Sequence, residues 1–289
     1  MISLFPEPRV SPSVSDPQVA NIPLPAGAPR ERVRDYVSFS ALSLYQRCSL
    51  RYFFRYVAQL PEESTSASLV FGRAIHRAIE HHFTELLAGN EPPDLDAMLV
   101  EFNVGWEETP AEQITFPKTD TRDTLARLAD RVLTAFRDSD VAQPRGHIIG
   151  IEEELRGHVI DGAPDLLARL DLLTESEGTL TVTDFKTSKS AWSSDQAADS
   201  AEQLLLYSEV VRQRFPGLPI RLEFVVFTKA KKVAISRYTV SLDAARVTRT
   251  KRIAQRVWRA ISAGHFITSP SPMNCNGCPY RNACRKWPG

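Results

Sequence analysis

The spacing of hydrophobic residues divides the chain into a mainly helical first half and a second half rich in strands. Apolar residues three and four positions apart predict amphipathic helices, whereas short alternating or continuous apolar runs predict strands. A helix that separates two groups of strands is typical of an α/β fold. The predicted helices cover residues 38–57, 69–89, 94–107, 121–138, 201–215 and 243–263, and the predicted strands cover residues 147–155, 166–174, 179–187, 220–228 and 233–240.

The order of these elements predicts one folded unit, residues 35–289, behind an N-terminal arm. Residues 1–34 contain seven prolines and almost no periodic apolar pattern, which predicts an extended or disordered arm. Within the folded unit we expect a mainly helical part at 36–140, a strand-rich core at 147–264 and a cysteine-rich segment at 265–289.

The composition is that of a globular protein without a membrane span. Of 289 residues, 43% are apolar and 24% are charged, which is enough apolar material for a packed core. The sequence has no run of eighteen apolar residues, and it does not begin with a basic region followed by an apolar stretch. With only four cysteines, these features predict a cytoplasmic protein in a reducing environment, with no membrane partner.

Basic residues are concentrated near the C-terminus, although the net charge of the chain is zero. Residues 221–289 hold fourteen Lys or Arg against Glu223 and Asp243, a local charge of +12 that the preceding residues balance. A nucleic-acid surface on an otherwise acidic body has this asymmetry. Solvated basic helix faces explain the same charge distribution equally well.

The first predicted helix interleaves aromatic and basic residues. Tyr45, Arg51, Tyr52 and Arg55 lie within three turns of it. Such residues stack on bases and contact phosphates in proteins that bind single strands. Aromatic core packing with exposed arginines is an equally good interpretation of the pattern.

The segment TVTDFKT carries the strongest candidate chemistry. Asp184 and Lys186 are two residues apart in a predicted strand, so their side chains share one face. A symmetric tight turn at residues 175–178 would place position 171 opposite 182, and Asp171 would lie diagonal to Asp184 on that face. Two carboxylates and an ammonium group are costly to bury without a partner, and Mg²⁺ offsets that cost by taking carboxylate oxygens. A salt bridge on an exposed face is the alternative.

Three of the four cysteines lie close together near the C-terminus. Cys275, Cys278 and Cys284 occur within 13 residues, and Cys48 is the remaining cysteine. Clustered thiols in a reducing compartment bind metal more often than they form disulfides. Because a tetrahedral metal or a cubane cluster needs four thiolates, Cys48 is the candidate for the fourth ligand. The spacing permits zinc or an iron–sulfur cluster.

Several short motifs follow one another in a recognisable order. A lone cysteine is followed by FGRAIH, GIEEEL, ARLDLL, TDFKT, QLLLY and finally C-x2-C-x5-C. The series resembles the PD-(D/E)xK nuclease superfamily, specifically the RecB-like branch with its AddB-like and Cas4-like iron–sulfur exonucleases. The resemblance spans roughly residues 36 to 287. It implies a restriction-endonuclease-like α/β core at 147–264, with a central mixed sheet flanked by helices. An N-terminal helical region and a C-terminal iron–sulfur staple would complete the fold.

The resemblance implies a divalent-metal site for DNA hydrolysis. Asp171 and Asp184 would hold Mg²⁺ or Mn²⁺, His76 of FGRAIH would be a third ligand, and Lys186 would orient the attacking water. A histidine beside an apolar helix stripe is otherwise most often a surface or core-edge residue. In one departure from the family pattern, Ala168 replaces the usual glycine before the R-x-D element, which removes no ligand.

Three further positions carry the remaining motifs. The resemblance implies that Glu152 of GIEEEL supports the water or a second metal, with Glu153 and Glu154 as rivals for that role. Gln203 and Tyr207 match the QxxxY helix of the family. They are one turn apart, so they could equally be an ordinary helix pair.

The resemblance also implies a cofactor and partners. It favours a [4Fe–4S] cluster at the cysteines, with Zn²⁺ as the alternative, and DNA as the substrate, either single-stranded or at duplex ends. A helicase, or a CRISPR or repair protein, would be a partner in such a system. Two other functions stay open: a non-catalytic DNA-binding or adaptor module with a vestigial metal site, and a zinc-stabilised basic protein. The cluster would be held by Cys48, Cys275, Cys278 and Cys284.

Overall fold

The computed structural model describes residues 35–288, so the predicted arm at 1–34 lies outside the described part of the chain. The strands are β1 (Tyr36–Ser38), β2 (Thr65–Ser66), β3 (Ile114–Thr115), β4 (His147–Gly157), β5 (Asp165–Ser176), β6 (Thr179–Ser188), β7 (Ile220–Thr228) and β8 (Ile235–Val240). The helices are α1 (Phe39–Arg47), α2 (Ser49–Tyr52), α3 (Ala67–Leu87), α4 (Leu95–Glu107), α5 (Arg122–Arg137), α6 (Ser194–Asp199), α7 (Glu202–Arg214), α8 (Ala244–Ser262), α9 (Pro272–Cys275) and α10 (Arg281–Arg285).

A mixed six-stranded sheet forms the centre of the fold. Its order is β1-β5-β6-β7-β8, and β4 pairs with the other edge of β5. The β4-β5-β6 meander is antiparallel, β6 and β7 are parallel and joined through α7, and β8 closes the sheet as an antiparallel edge. The predicted mixed sheet flanked by helices is therefore confirmed.

Two helical layers cover the sheet, and each has its own apolar core. One layer comprises α1, α7 and α8, which pack on Leu170, Val182 and Phe224. The other comprises α3, α4 and α5, which pack on Phe185 and Phe227. Successive side chains of β6 point to opposite faces of the sheet, so its even-numbered residues face α7 while Phe185 faces α3. The site residues of β6 thus lie between two well-packed layers.

The register between β5 and β6 differs from the sequence prediction. Leu172 pairs with Thr183 and Ser176 with Thr179, so the loop consists of Glu177 and Gly178, with φ of 50° and 75°. A two-residue loop with both φ positive is the type I′ hairpin turn, whose twist matches that of the strands. The turn therefore lies one residue later than the symmetric turn expected at 175–178, and the expected register, with position 171 opposite 182, was wrong by two positions. The ladder ends at Leu172–Thr183, so Asp171 and Asp184 are the next residues on the two strands.

The first predicted helix is interrupted at Cys48. Its N-cap is Ser38, whose side chain accepts a hydrogen bond from the Ala41 backbone N–H. At Cys48, however, the backbone is extended, with φ −161° and ψ 104°, so that helix α1 ends and α2 begins there. The reason is the C-terminal segment: Ile267 O accepts hydrogen bonds from the Leu50 N–H and the Ser49 hydroxyl.

None of the helices in the described range 35–288 is both long enough and apolar enough to cross a membrane.

The β5–β6 turn generates a stability prediction. Glu177 adopts a left-handed backbone conformation that costs most L-residues about 1–2 kcal/mol and costs Asn less. We therefore expect Glu177→Asn to raise the free energy of unfolding by up to about 1 kcal/mol, measured by chemical denaturation. The matched control is Glu177→Ala, which removes the same charge without favouring the left-handed region. Equal effects of the two variants would show that charge, and not backbone strain, controls the turn.

Candidate active site

The candidate site lies where β5 and β6 separate. Their ladder ends at the pair Leu172–Thr183, and further along β5 the same edge pairs with β1 at residues 165–167. In the gap between these two pairings, the Asp171 carboxylate accepts a 2.7 Å hydrogen bond from the Phe185 backbone N–H. The side chain thus replaces a ladder bond, and Asp171 is held next to Asp184 at the fork.

Asp184 and Lys186 form a buried pair on the face that α7 covers. Lys186 Nζ lies 2.6 Å from Asp184 Oδ2, and Asp184 is only 4% exposed. The Lys186 ammonium group is therefore the cation that compensates this buried carboxylate, which would be costly to bury without it.

His76 and Glu152 complete a group of possible metal ligands with Asp171. His76 Nδ1 lies 3.5 Å from Asp171 Oδ2 and 4.0 Å from Glu152 Oε1. Ligand atoms of the three residues all lie within 4.8 Å of one another. Two carboxylates and one imidazole at this spacing fit a hard divalent cation such as Mg²⁺ or Mn²⁺.

Of the three neighbouring glutamates, Glu152 is the one at the fork. The pairs Ile151–Leu172 and Glu153–Leu170 flank it, which puts Glu152 opposite Asp171. Glu154 instead forms an ion pair with Arg169, its register partner on β5. Glu152 also has φ of 47°, a left-handed conformation that is strained for glutamate. Strain of this kind is concentrated at functional sites, where the surrounding sheet maintains it.

Burial and mutual repulsion disfavour the charged forms of the site carboxylates. Burial, followed by the charge of Asp171, raises the pKa of Glu152 to about 7. Burial also raises the pKa of Asp184 to about 6, against the opposing effect of Lys186. Burial and neighbouring carboxylates therefore oppose the negative charges at this site, and a divalent cation would favour them.

Lys186 remains a cation in this environment. Burial acts against its charge, but the carboxylates of Asp184 and Asp171 outweigh burial and raise the pKa of Lys186. Its ammonium group also lies 3.5 Å from Gln203 Oε1 on α7. Tyr207, one turn further, interacts through its hydroxyl with Gln203 and with the Arg169 backbone. The two helix residues therefore brace the lysine and the β5 strand next to it.

The site opens into a cleft of about 690 Å³ between α3 and the end of β6. His76, Glu152, Asp171 and Lys186 line its inner end. The outer part is formed by residues that the sequence analysis did not single out: Ser66, Ser68, Gly72, Arg73, Thr187 and Lys229. The one signal for Lys229 was its position directly after the carboxyl end of a predicted strand.

The cysteines lie near a small apolar cluster separate from the two cores of the sheet. Burial and then the charges of Cys48, Cys278 and Cys275 raise the pKa of the Cys284 thiol. The apolar cluster is built on Leu50, Phe53, Phe54 and Tyr280. Cys48, Cys278 and Cys284 thus pack on one apolar cluster, although among the described residues the cysteines do not form a group of ligand atoms within 4.8 Å of one another.

The aromatic residues of the first helical segment pack internally. Tyr52 is 7% exposed and stacks on Phe266, with ring centroids 6.3 Å apart. The Tyr45 hydroxyl donates a hydrogen bond to His265 O, and Arg55 forms an ion pair with Glu62. This arrangement matches the alternative of aromatic core packing, not that of a base-stacking surface.

The basic C-terminal region is divided between several surroundings. Lys229 lines the cleft, whereas Arg237 is paired with the buried Glu223 and Lys251 with Glu209. A further set lies exposed along one face of α8, away from the cleft lining: Arg249, Arg252, Arg256 and Arg259. The +12 charge is thus not one continuous surface.

Comparison with known proteins identifies the fold. A solved structure from Eubacterium rectale, described as "Putative exonuclease", aligns with a TM-score of 0.54 over 85% of this chain and 88% of its own, at 13% identity. SSO0001, a second solved structure, covers 86% of this chain and 98% of its own at 13% identity, with a TM-score of only 0.34. Among curated proteins, none matches the sequence.

The family pattern itself covers nearly all of the described chain. The sequence profile of the PD-(D/E)XK nuclease superfamily matches residues 36–285, a range that includes the strand fork, its carboxylates and the cysteine-rich segment. The chain therefore belongs to the PD-(D/E)XK nuclease superfamily.

Proposed function

We propose that this protein is a metal-dependent DNA exonuclease that hydrolyses phosphodiester bonds in single-stranded DNA or at DNA ends. The observation that carries the proposal is the strand fork, where Glu152, Asp171, His76 and Lys186 line one cleft and the buried carboxylate of Asp184 contacts Lys186. Membership of a nuclease superfamily supports hydrolysis of DNA in general. The preference for ends and for single strands is part of the proposal.

Asp171, Asp184 and His76 are the proposed ligands of Mg²⁺ or Mn²⁺. A bound divalent metal would polarise a phosphoryl oxygen and lower the pKa of a water molecule. Asp171 is fixed by its bond to the Phe185 N–H, and Asp184 is held in the centre of the sheet. The ligands therefore start from positions that rigid backbone elements define, as a precise metal site requires.

Lys186 is proposed to orient the attacking water and to stabilise charge in the transition state. Because the neighbouring carboxylates keep it protonated, it acts as a hydrogen-bond donor and not as a general base. Gln203 and Tyr207 are positioning residues for it. Glu152, whose raised pKa leaves it readily protonated near neutral pH, is proposed to support the water or a second metal.

The four cysteines are proposed to bind a [4Fe–4S] cluster with a structural role. Cys48 lies at the break between α1 and α2, while the other three belong to the C-terminal segment. A cluster at this point would tie residues 265–288 to the first helices. We place the protein in the reducing cytoplasm, where such thiols stay available.

DNA beyond the cleft is proposed to follow the exposed arginines of α8. Arg249, Arg252 and Arg256 lie at helical spacing on its solvent face, beside a shallow groove. Cations in such a row attract the phosphate backbone without reading sequence. A helicase, or a CRISPR or repair protein, would supply the DNA end.

The first prediction concerns catalysis. Lys186→Met and Asp184→Asn should each lower the rate of DNA cleavage by about 10²–10³-fold, because they remove transition-state charge stabilisation and a metal ligand. The measurement uses anaerobically purified protein, Mg²⁺ or Mn²⁺, and end-labelled linear or circular single-stranded DNA. The wild type should degrade the linear strand and spare the circle. Lys232→Met, which changes an exposed lysine, should cleave as the wild type does.

Other outcomes have distinct meanings. Cleavage of circles would make the enzyme an endonuclease. Tight DNA binding without cleavage by the wild type, at any metal concentration, would leave only a non-catalytic binding module.

The second prediction concerns metal-linked stability. The pKa of Glu152 is raised from 4.5 to about 7, so its contribution to stability is present below pH 4.5 and is lost as the pH rises through about 7. At pH 8, Glu152→Gln should therefore have a higher Tm than the wild type in EDTA, and Mn²⁺ should raise its Tm by less. Glu153→Gln, at the exposed neighbouring position, should show neither effect. Equal Tm shifts in the two variants would argue against a metal at the fork.

The third prediction concerns the cysteines. Cys48→Ser and Cys278→Ser should both lose bound iron and its visible absorption, and residues 265–288 should become sensitive to protease, because cluster binding stabilises the segment it ties down. Met273→Ser, at a 94% exposed position of the same segment, should retain the iron. Should Cys48→Ser keep full iron while Cys278→Ser loses it, Cys48 is not a ligand. Stoichiometric zinc in place of iron would establish the alternative centre.

A further inference from the structure

Lys229 is a cation inside the catalytic cleft that the proposed metal chemistry does not use. It follows β7 directly, and its backbone N–H donates to Ser188 O, two residues beyond Lys186. Its Nζ donates a hydrogen bond to the Ser68 hydroxyl in the first turn of α3. Both side chains line the outer part of the same cleft as His76 and Asp171.

No carboxylate in the described residues 35–288 lies within 4.0 Å of Lys229 Nζ. Burial, followed by the charge of Lys189, lowers the pKa of Lys229, and the more distant Asp120 offsets this only in part. A partly buried ammonium group whose hydrogen-bond partner is a hydroxyl is incompletely compensated. An anion entering the cleft would compensate it.

The distance from the metal site defines which anion this could be. Ser68 precedes His76 by eight residues on α3, which is about 12 Å along the helix axis. On the sheet side, Lys229 extends three residues beyond Val226, the register partner of Lys186, or about 10 Å. Both estimates are separations along the backbone, and they place the Lys229–Ser68 pair at a different point of the cleft from the metal ligands.

The floor of the cleft between the metal site and the Lys229–Ser68 pair includes a glycine, which places no side chain there. Gly72 lies midway along α3 between Ser68 and His76, where glycine costs about 1 kcal/mol relative to alanine. A Cβ at this position would meet nothing closer than Thr187 Oγ1 at 3.5 Å, which is ordinary van der Waals contact. The packing of the protein therefore does not require glycine here. Without a side chain at this position, the surface of α3 allows another backbone to approach closely.

We propose that Lys229 and Ser68 bind a phosphate of the substrate strand next to the one that is cleaved, and that the strand reaches the metal site by passing over Gly72. The ligand is a phosphodiester of a nucleic-acid strand, held through its oxygens by an ammonium group and a hydroxyl. This inference rests on the proposed function, because it assigns a direction in the cleft to the strand that the metal site would cut.

The test is a double-mutant cycle between the lysine and single phosphates. Short single-stranded oligonucleotides carry one neutral methylphosphonate at successive linkages, and binding is measured in Ca²⁺ to separate it from cleavage. In the wild type, one linkage near the cut should weaken binding about tenfold when neutralised, as expected for a charged hydrogen bond. In Lys229→Met, the same substitution should cost nothing further, because the partner is already gone.

Two variants make the result specific. Lys231→Met removes an exposed lysine from the same loop and should keep the full tenfold effect at that linkage. Ser68→Ala should reduce the effect at the same linkage without a change in net charge. Gly72→Val, which fills the floor, should weaken binding of oligonucleotides that extend past the cut while leaving the Mn²⁺-induced shift in Tm intact.

The outcomes separate this inference from the proposed function. If the losses of binding free energy caused by Lys229→Met and by the methylphosphonate add up at every linkage, in an enzyme that cleaves DNA, the inference alone would be overturned. If neutralising one linkage weakens binding in the wild type but not in Lys229→Met, and the protein never cleaves DNA, the phosphate site would be supported and the catalytic proposal overturned. An absence of DNA binding by the wild type would overturn both.

Discussion

The hydrogen bond between the Phe185 N–H and the Asp171 carboxylate, 2.7 Å long, is the constraint on which the site depends. It forms where the backbone ladder between β5 and β6 has stopped, so it satisfies a donor that the divergence would otherwise leave unpaired. The same bond orients Asp171 beside Asp184 and His76. One interaction thereby allows the sheet to open without an unsatisfied N–H and turns the opening into a ligand site.

The site is electrostatically unfavourable without a cation, and the surrounding cores make it possible. On either side of Asp184 along β6, Val182 and Phe185 pack into opposite helical layers. This packing holds β6 in place, so the Asp184 carboxylate stays buried. Lys186 compensates one charge, but the pKa values of Asp184 and Glu152 stay raised. The packing of the two apolar cores thus holds the site carboxylates in place, although their burial and mutual repulsion are locally unfavourable.

The sequence was sufficient for the elements and for the face of each site residue. Periodicity gave the long helices and strands within a few residues, and alternation placed Asp184 and Lys186 together. It could not give the register, because a turn of Glu177 and Gly178 lacks the Asn-Gly signal that marks a type I′ loop. Nor could it give the break at Cys48, the short strand β1, or the strained backbone of Glu152. Each depends on contacts with segments far away in sequence, such as Ile267 against Ser49.

The position of the cysteines shows how such distant contacts shape the molecule. Protein hydrogen bonds already join the chain ends: the Asn274 side chain donates to Arg47 O, and Leu50 N–H donates to Ile267 O. These bonds accompany the interruption of the helix at Cys48 and bring this part of the chain toward the segment that contains Cys275, Cys278 and Cys284. A small cluster with the buried Tyr280 surrounds the meeting point, separate from the two cores that hold the sheet. A metal centre here would therefore stabilise a preformed junction. Its loss should release the terminal segment while the fork, which rests on other cores, keeps its geometry.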